Sequence, residues 1–472
     1  MAKRVLIVGA GEAGRMLVHE IAQREPGDYE IVGFLDDDES LANRTVENYP
    51  VLGRCESLAE LAKKHNAAEA IIAVPSASRE FNRKIMSLCR NANLPFRIIP
   101  GLLEIIKGPV HLEQVRDMRP EDLLGRESAE FDDQEISKAL RGKKVLVTGA
   151  GGSIGGEICR QIGRFGLEQL YVLGRGENQI YQIEYELNKM WPDLAVVPLI
   201  ADIRDGDAVE RLFKEVSPDF VYHAAAHKHV HYMESFPIEA VKNNVFGTLN
   251  VIDSARAARV ERVVMLSTDK AVSPRGVMGA TKRIAEYLMI SRTGGDGQIP
   301  RLMTVRFGNV LASRGSVVPL FIRQIGAGGP VTVSHQDATR FFMSMKEACM
   351  LVVQASIMGK GGEVFILKMG EPIRIVELAR DLISLHGYRA DVDIAIDFVG
   401  LRPGEKLHED LVIPGEEALP SRHKQILCSR GAVPEGVDVD AVLLELNELA
   451  AAADEDGIKR CLARAIPDAE FM

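Results

Sequence analysis

Twice in this chain a short apolar run rich in β-branched residues ends in a glycine turn that opens a helix-like pattern, and few sequence features restrict a fold more tightly. The first is Arg4-Val5-Leu6-Ile7-Val8 running into Gly9-Ala10-Gly11-Glu12-Ala13-Gly14. The second is Lys144-Val145-Leu146-Val147-Thr148 running into Gly149-Ala150-Gly151-Gly152-Ser153-Ile154-Gly155. Such a turn at the end of a first strand lets backbone N–H groups and the positive end of the next helix meet a pyrophosphate, where a β-carbon would obstruct the approach. The two turns lie far enough apart to begin separate domains, and 472 residues suffice for two or three cores.

Strand and helix patterns alternate after each turn. In the first domain Glu30–Leu35 reads as a strand ending at Asp36-Asp37-Asp38, followed by strands at Ala70–Val74 and Phe96–Ile99, with helices over Ser57–His65 and Arg79–Asn91. In the second, strands are expected at Gln169–Leu173, Ala195–Ile200, Phe220–His223 and Val263–Ser267. This alternation implies α/β architecture, with two doubly wound parallel-sheet domains and right-handed crossovers. The expected boundaries are residues 1–118, a connector at 119–140, a catalytic domain at 141–430 and a helical tail at 431–472. The charged, proline-bearing stretch from about Val115 to Leu140 includes Arg119-Pro120-Glu121-Asp122-Leu123-Leu124-Gly125-Arg126, patterned well enough to pack. From about Gly326 the turns multiply, which suits a smaller substrate-covering lobe. In the tail Val442, Leu446 and Leu449 fall on one helix face.

Composition bounds the partners. A formal charge of −10 leaves no basic footprint for nucleic acid or anionic lipid, so any phosphate must be bound locally. The six cysteines form no CxxC pair, which fits reduced thiols in a cytosolic protein and neither zinc nor a disulfide framework. The first strand begins almost at Met1, leaving no room for a signal peptide, and no apolar run approaches the ~20 residues of a membrane helix. A cytoplasmic chain is expected.

In the second domain Gly149, Gly152 and Gly155 are spaced GxxGxxG, the form seen in extended short-chain dehydrogenases, with Ser153 and Ile154 opening the helix. Where a carboxylate would meet a cofactor ribose stands Gly174-Arg175, which tilts the choice toward NADP over NAD, although Glu177 lies close enough to take the ribose. Asp202-Ile203 suits an adenine contact and Ala224-Ala225-Ala226 gives a path of small residues beside the cofactor. Each of these could equally be strand-end packing when taken singly.

Short-chain dehydrogenases place a Tyr and a Lys one helical turn apart; the Lys holds the nicotinamide ribose and lowers the Tyr pKa. Here the segment is Met278-Gly279-Ala280-Thr281-Lys282, with methionine in the tyrosine's place. A thioether exchanges no proton, so either the chain is inactive or other groups handle the substrate proton. Ser267-Thr268-Asp269-Lys270-Ala271 favours the second case, since it gathers a hydroxyl, a carboxylate and an amine at the carboxyl end of a strand, where open α/β sheets build active sites. A solvated turn is the plain alternative.

Together with Pro274 and Arg283, these segments resemble the signature of nucleotide-sugar 4,6-dehydratases of bacterial polysaccharide and protein-glycan synthesis, in particular the long capsular-polysaccharide class with Met in place of Tyr. The resemblance extends to His227-Lys228-His229-Val230, Asn243–Thr248, Arg306–Val310, Thr339–Met343 and Leu401–Leu407, covering nearly the whole second domain. It implies two Rossmann-like domains, the second an extended short-chain dehydrogenase fold with a smaller substrate-binding lobe. It implies a UDP-N-acetylglucosamine 4,6-dehydratase with tightly held NAD(P), acting by C4 oxidation, loss of water across C5 and C6, and reduction at C6. Lys270 is then the expected base and Asp269 the expected acid, protonated in the resting complex, with Thr268 and Lys282 near the 4-hydroxyl and ribose and Asn244 beside the cofactor. Arg402 first and Arg340 second are candidates for the diphosphate, a guanidinium meeting phosphate with parallel donors. Asn309 is a candidate amide donor to phosphate, and Arg306 could equally be a structural ion pair. His227 and His229 lack a metal-site partner at ligand spacing, so no metal is expected and His229 is assigned to the substrate side. Family likeness suggests pairing into a homo-oligomer.

In the resembled family the first domain usually follows membrane helices, absent from this sequence. Its Gly9, Gly11 and Gly14 match GxGxxG with an acidic run at ribose distance, which fits a non-catalytic nucleotide-binding or regulatory module, with a vestigial scaffold the alternative. For the whole chain a UDP-sugar 4-epimerase and a non-enzymatic nucleotide-sugar sensor are the competing readings.

Overall fold

The computed structural model describes residues 2–24, 27–99, 115–124, 129–294 and 298–471. These fall into two compact units, one of Met1–Ala129, Val317–Val333 and Val376–Asp397, the other of Glu130–Ser316, Ser334–Ile375 and Phe398–Met472. The turn-rich stretch after Gly326, read from sequence as one lobe of the catalytic domain, is thus divided between them.

In the first unit the strands are β1 (Lys3–Val8), β2 (Tyr29–Leu35), β3 (Thr45–Val46), β4 (Tyr49–Gly53), β5 (Glu69–Ile72) and β6 (Phe96–Ile98), ordered β3-β4-β2-β1-β5-β6. All neighbours are parallel except the β3–β4 hairpin, which alternation alone did not reveal. Val5, Leu6, Ile7 and Val8 are wholly buried, the reason the central strand is apolar without interruption. The helix Arg79–Asn91 forms where its periodicity predicts: the Ser78 hydroxyl accepts from Phe81 N–H, and Asn82, Ile85, Met86 and Cys89 face inward. The front of the connector does pack. Arg116 exchanges backbone hydrogen bonds with Ile98, and Leu123 and Leu124 are buried; Gly125 and Arg126 lie outside the described residues.

In the second unit β7 (Lys144–Thr148), β8 (Gln169–Gly174), β9 (Ala195–Ile200), β10 (Phe220–His223), β11 (Arg262–Leu266) and β12 (Arg301–Arg306) form a parallel sheet in the order β12-β11-β10-β7-β8-β9. The parallel strand Glu363–Leu367 continues it, and the antiparallel Ile426–Arg430 and Ala418–Pro420 close that edge. The expected pair of doubly wound parallel-sheet domains is therefore present. The order reverses between β7 and β10, so the crevice at their carboxyl ends is where such a sheet takes a ligand.

Helix Val277–Ser291 is buried on every side from Val277 to Met289, because the tail helices Val439–Ala451 and Glu455–Ala465 cover the face turned away from the sheet. The tail's inward face is Val439, Leu443, Leu446 and Ala450. Val442 and Leu449, expected at its centre, sit half-buried at its margin, so the face is turned by about one residue from the expected one. Among the described residues no helix is long and apolar enough to cross a membrane.

Candidate active site

The glycine loop after β7 is shaped by contacts that a side chain would prevent. Gly149 has φ +67°, and a β-carbon there would stand 2.7 Å from Ala225 N; one on Gly155 would stand 2.4 Å from the Gly149 carbonyl oxygen. Gly152 caps the helix Ser153–Ile162, leaving its first N–H groups directed at the crevice. Ser153 Oγ accepts from Arg314 N–H at 3.0 Å, and the Arg314 guanidinium donates to the Gly151 carbonyl at 3.1 Å, so a loop remote in sequence rests on the glycine turn. The Ile154 carbonyl accepts from the Cys349 thiol at 3.7 Å.

Beside this loop, Ala224 and Ala225 follow β10 with their N–H groups tied to the Thr148 carbonyl and hydroxyl, and Ala226 is exposed. His223 bridges Thr148 Oγ1 at 2.8 Å and Thr248 Oγ1 at 3.0 Å; burial, with the Lys282 charge adding, lowers its pKa to about 3, so the ring is neutral. Asn244 lies in a π-helical stretch, Val241–Phe246. Its Oδ1 accepts from His227 N–H at 2.8 Å, and its amide donates to the His227 carbonyl at 3.0 Å and Thr281 Oγ1 at 3.1 Å. Its polar atoms are thus engaged by the protein, which makes Asn244 a brace for the loop after β10 and corrects the expected direct cofactor contact.

At the strand ends toward β9, Asp202 takes a bidentate grip from Arg204 and a 3.7 Å contact from Arg175, which lowers its pKa through the Arg204 hydrogen bond first. Ile203 points into the core against Gly247, so only its backbone can face an adenine, and its carbonyl already accepts from Asn250.

Thr268, Asp269 and Lys270 are brought together at the end of β11. Asp269 Oδ1 accepts from Thr268 Oγ1 and from Lys270 Nζ, each at 2.9 Å, while Lys270 Nζ also donates to Asn309 Oδ1 at 3.1 Å. A second carboxylate, unnoticed in the sequence, completes the group: Glu409 Oε1 stands 3.6 Å from Lys270 Nζ and 3.8 Å from Arg340 Nε. Burial opposes the charge on Lys270, but Asp269 and Glu409 outweigh it and raise the pKa. Lys228, given no role from sequence, donates to the Arg314 carbonyl at 2.7 Å, and burial together with the Lys270 charge depresses its amine. Lys282 is buried, and desolvation lowers it to about 8 despite Glu286. Met278 packs in the same core cluster as Val277 and Ala280.

Under the cluster, Glu286 accepts from Ser267 Oγ at 2.6 Å, Arg283 Nη1 at 2.8 Å and Arg306 Nη2 at 2.8 Å. Arg306 is therefore a structural ion pair. The substrate-side expectations divide. Arg402 is exposed at its turn, with its backbone N–H bonded to Glu405. Arg340 is instead committed to the carbonyls of Thr339, Leu407 and Lys406, so it braces the loop carrying Glu409 and is not a free phosphate ligand. Asn309 accepts from Lys270 Nζ through its side-chain carbonyl, and its amide N–H groups, the donors expected at the phosphate, take no part in that bond. His229 caps the short helix Val230–Ser235, with its ring against the Gly315 backbone and edge-on to Tyr232.

In the first unit Gly9 and Gly14 are needed for close approach: a β-carbon on Gly14 would lie 2.1 Å from the Gly9 carbonyl. Asp36, placed to meet a ribose, has Oδ2 bonded to Ala10 N–H at 2.7 Å, so one loop donor and one carboxylate oxygen satisfy each other.

Comparison with known proteins agrees with this organisation. A family model described as polysaccharide biosynthesis protein matches residues 145–430, and one described as CoA-binding domain matches residues 2–100. The capsular polysaccharide biosynthesis protein CapD of Staphylococcus aureus is 45% identical over 416 residues, 88% of this chain and 69% of CapD. The probable polysaccharide biosynthesis protein EpsC of Bacillus subtilis is 44% identical over 429 residues, 89% of this chain and 71% of EpsC. Among solved structures, Pen from Bacillus thuringiensis is 36% identical with a TM-score of 0.57, the match covering 61% of this chain and 89% of Pen.

Proposed function

Because this chain belongs to the polysaccharide biosynthesis protein family, we propose that it is a UDP-N-acetylglucosamine 4,6-dehydratase. The observation carrying this reading is the bonded group of Thr268, Asp269 and Lys270 at the end of β11, beside a helix that carries Met278 one turn before Lys282, where a catalytic tyrosine would stand. An amine and a carboxyl group 2.9 Å apart are what elimination needs, a base for the C5 proton and an acid for the C6 hydroxyl. Lys270 takes the first role and Asp269 the second, with the Thr268 hydroxyl relaying toward the sugar 4-hydroxyl.

The Gly149–Gly155 cradle, the small residues Ala224–Ala226 and Lys282 fit a nicotinamide dinucleotide. Bound there, it supplies an acceptor for the C4 hydride and a donor for its return to C6. In this reading Lys282 holds the nicotinamide ribose and Arg402 meets the diphosphate. With Gly174-Arg175 at the end of β8, where a carboxylate would meet an unphosphorylated ribose, a 2'-phosphate is favoured, hence NADP; Glu177 is the residue that would serve NAD instead. Arg175→Ala is expected to weaken NADP about tenfold while leaving NAD within about threefold, as measured by titration calorimetry, since only the phosphorylated ribose loses a guanidinium. Equal losses for both would remove the argument for NADP.

The deciding experiment is mass spectrometry of UDP-N-acetylglucosamine after incubation. Loss of one water supports the dehydratase, an isobaric product makes the protein a 4-epimerase, and unchanged substrate makes it a sensor. The first domain is proposed as a non-catalytic nucleotide-binding module, supported by its glycine loop and its CoA-binding family match.

A further inference from the structure

Glu409 is buried, with its side chain 2% exposed, yet Oε2 has no hydrogen-bond partner among the described residues; the same holds for Asp269 Oδ2. Two carboxyl groups thus flank one amine, each with an oxygen left unpaired, in a place where a buried polar atom normally finds a partner. The charged groups facing Glu409 are Lys270 and Asp269 beyond β11, Arg340 at 3.8 Å, and Lys406 on its own loop, whose Nζ is held by the Val272 carbonyl. Burial pushes the Glu409 carboxyl up and Asp269 adds to the rise, against the pull of Lys270 and Arg340.

We propose that Glu409 is a positioning residue that works un-ionised, and that its ionisation locks Lys270 as an ammonium and stops the elimination. The proposal rests on the dehydratase reading. With Glu409 neutral, one proton can pass from Lys270 Nζ to Asp269 along their hydrogen bond, leaving a free amine and a carboxylic acid. The amine then takes the C5 proton as the C5–C6 double bond forms. The C6–O bond breaks, and the hydroxyl leaves as water with the Asp269 proton, which restores ammonium and carboxylate. With Glu409 ionised, the ammonium neutralises two carboxylates at once, and giving up its proton becomes much harder.

The test tracks kcat of the cofactor-loaded enzyme from about pH 6 to about pH 9, where the wild type should decline up to about tenfold per pH unit beyond the ionisation and Glu409→Gln should stay flat. Glutamine mimics the neutral acid, so the readout is the alkaline limb, present in the wild type and lost in the variant, whatever the variant's plateau. A limb that persists in Glu409→Gln, or a wild-type profile without one, overturns the proposal. The infrared difference between wild type and Glu409→Gln assigns the band to Glu409 and is independent of substrate choice. The band of an un-ionised carboxyl should persist well above the ordinary glutamate pKa of about 4.3, and its absence there also overturns the proposal. If the wild type removes no water at any pH, the dehydratase reading fails, while the infrared result still decides the state of Glu409.

Discussion

Replacing Lys270 by methionine is expected to lower kcat for dehydration by roughly 10²–10⁴-fold, the scale of one acid–base group, while cofactor and UDP-sugar binding persist. Methionine keeps much of the stem and removes the amine, and Lys270 Nζ is the point where Asp269, Asn309 and Glu409 converge. Asp269→Asn should fall by a similar factor, because an amide donates no proton to the C6 hydroxyl. The two losses should not add in the double variant, since the residues share one proton. Steady-state kinetics with mass-spectrometric detection decides the matter; full turnover in both single variants would refute Lys270 as base and Asp269 as acid.

The largest effect on stability is expected beneath the site. Glu286 and Arg306 are both fully buried, and Glu286 is the anion that Arg283 and Arg306 share. Glu286→Gln leaves the buried Arg283 without its carboxylate and Arg306 with Glu416 alone, a loss of about 3–5 kcal/mol by analogy with broken buried pairs. In a domain of this size that corresponds to a melting temperature lower by roughly 6–10 °C, measurable by calorimetry. Burial alone would raise the Glu286 pKa, but Arg306 and then Arg283 overcome it and hold it at about 2, below the ordinary value of 4.5. A depressed carboxyl pKa stabilises the fold fully above the unfolded value and loses that contribution as pH falls through the folded one. Wild type should therefore shed stability between about pH 4.5 and about pH 2, and the glutamine variant should lack that component. A variant that melts with wild type would mean that the arginines find other anions.

The features legible in the sequence were local ones. A glycine turn between a strand and a helix spans a handful of residues, so Gly149, Gly152 and Gly155 identify themselves, as does the run from Thr268 to Lys270. The helix Arg79–Asn91 was visible because its cap and apolar face lie within its own length. Glu409 was not, because it meets Lys270 only once the loop after Leu401 has folded back and Arg340 has fastened its carbonyls. Arg340 itself misled for the same reason: a guanidinium suits a phosphate and a row of backbone carbonyls equally well, and only tertiary structure chooses. Lys228 and Arg314 also depend on a remote loop reaching the glycine turn. In the tail, periodicity named the correct helix but turned its face by about one residue, since the inward side is set by helices that periodicity does not see.

The π-helical stretch Val241–Phe246 has a bearing on how this site can change over generations. A π turn holds about one residue more than an α turn, which is the footprint of a single-residue insertion. Deleting one residue there would let the segment relax into a regular α-helix, a better local structure whose flanking turns stay in phase, while the residues of the bulge itself turn to new directions. Asn244 would leave His227 and Thr281, and the loop beside the glycine cradle would lose its anchor. Substitutions can drift through this helix one at a time, but its length is frozen: the bulge is a ratchet, easily entered by insertion and closed to retreat.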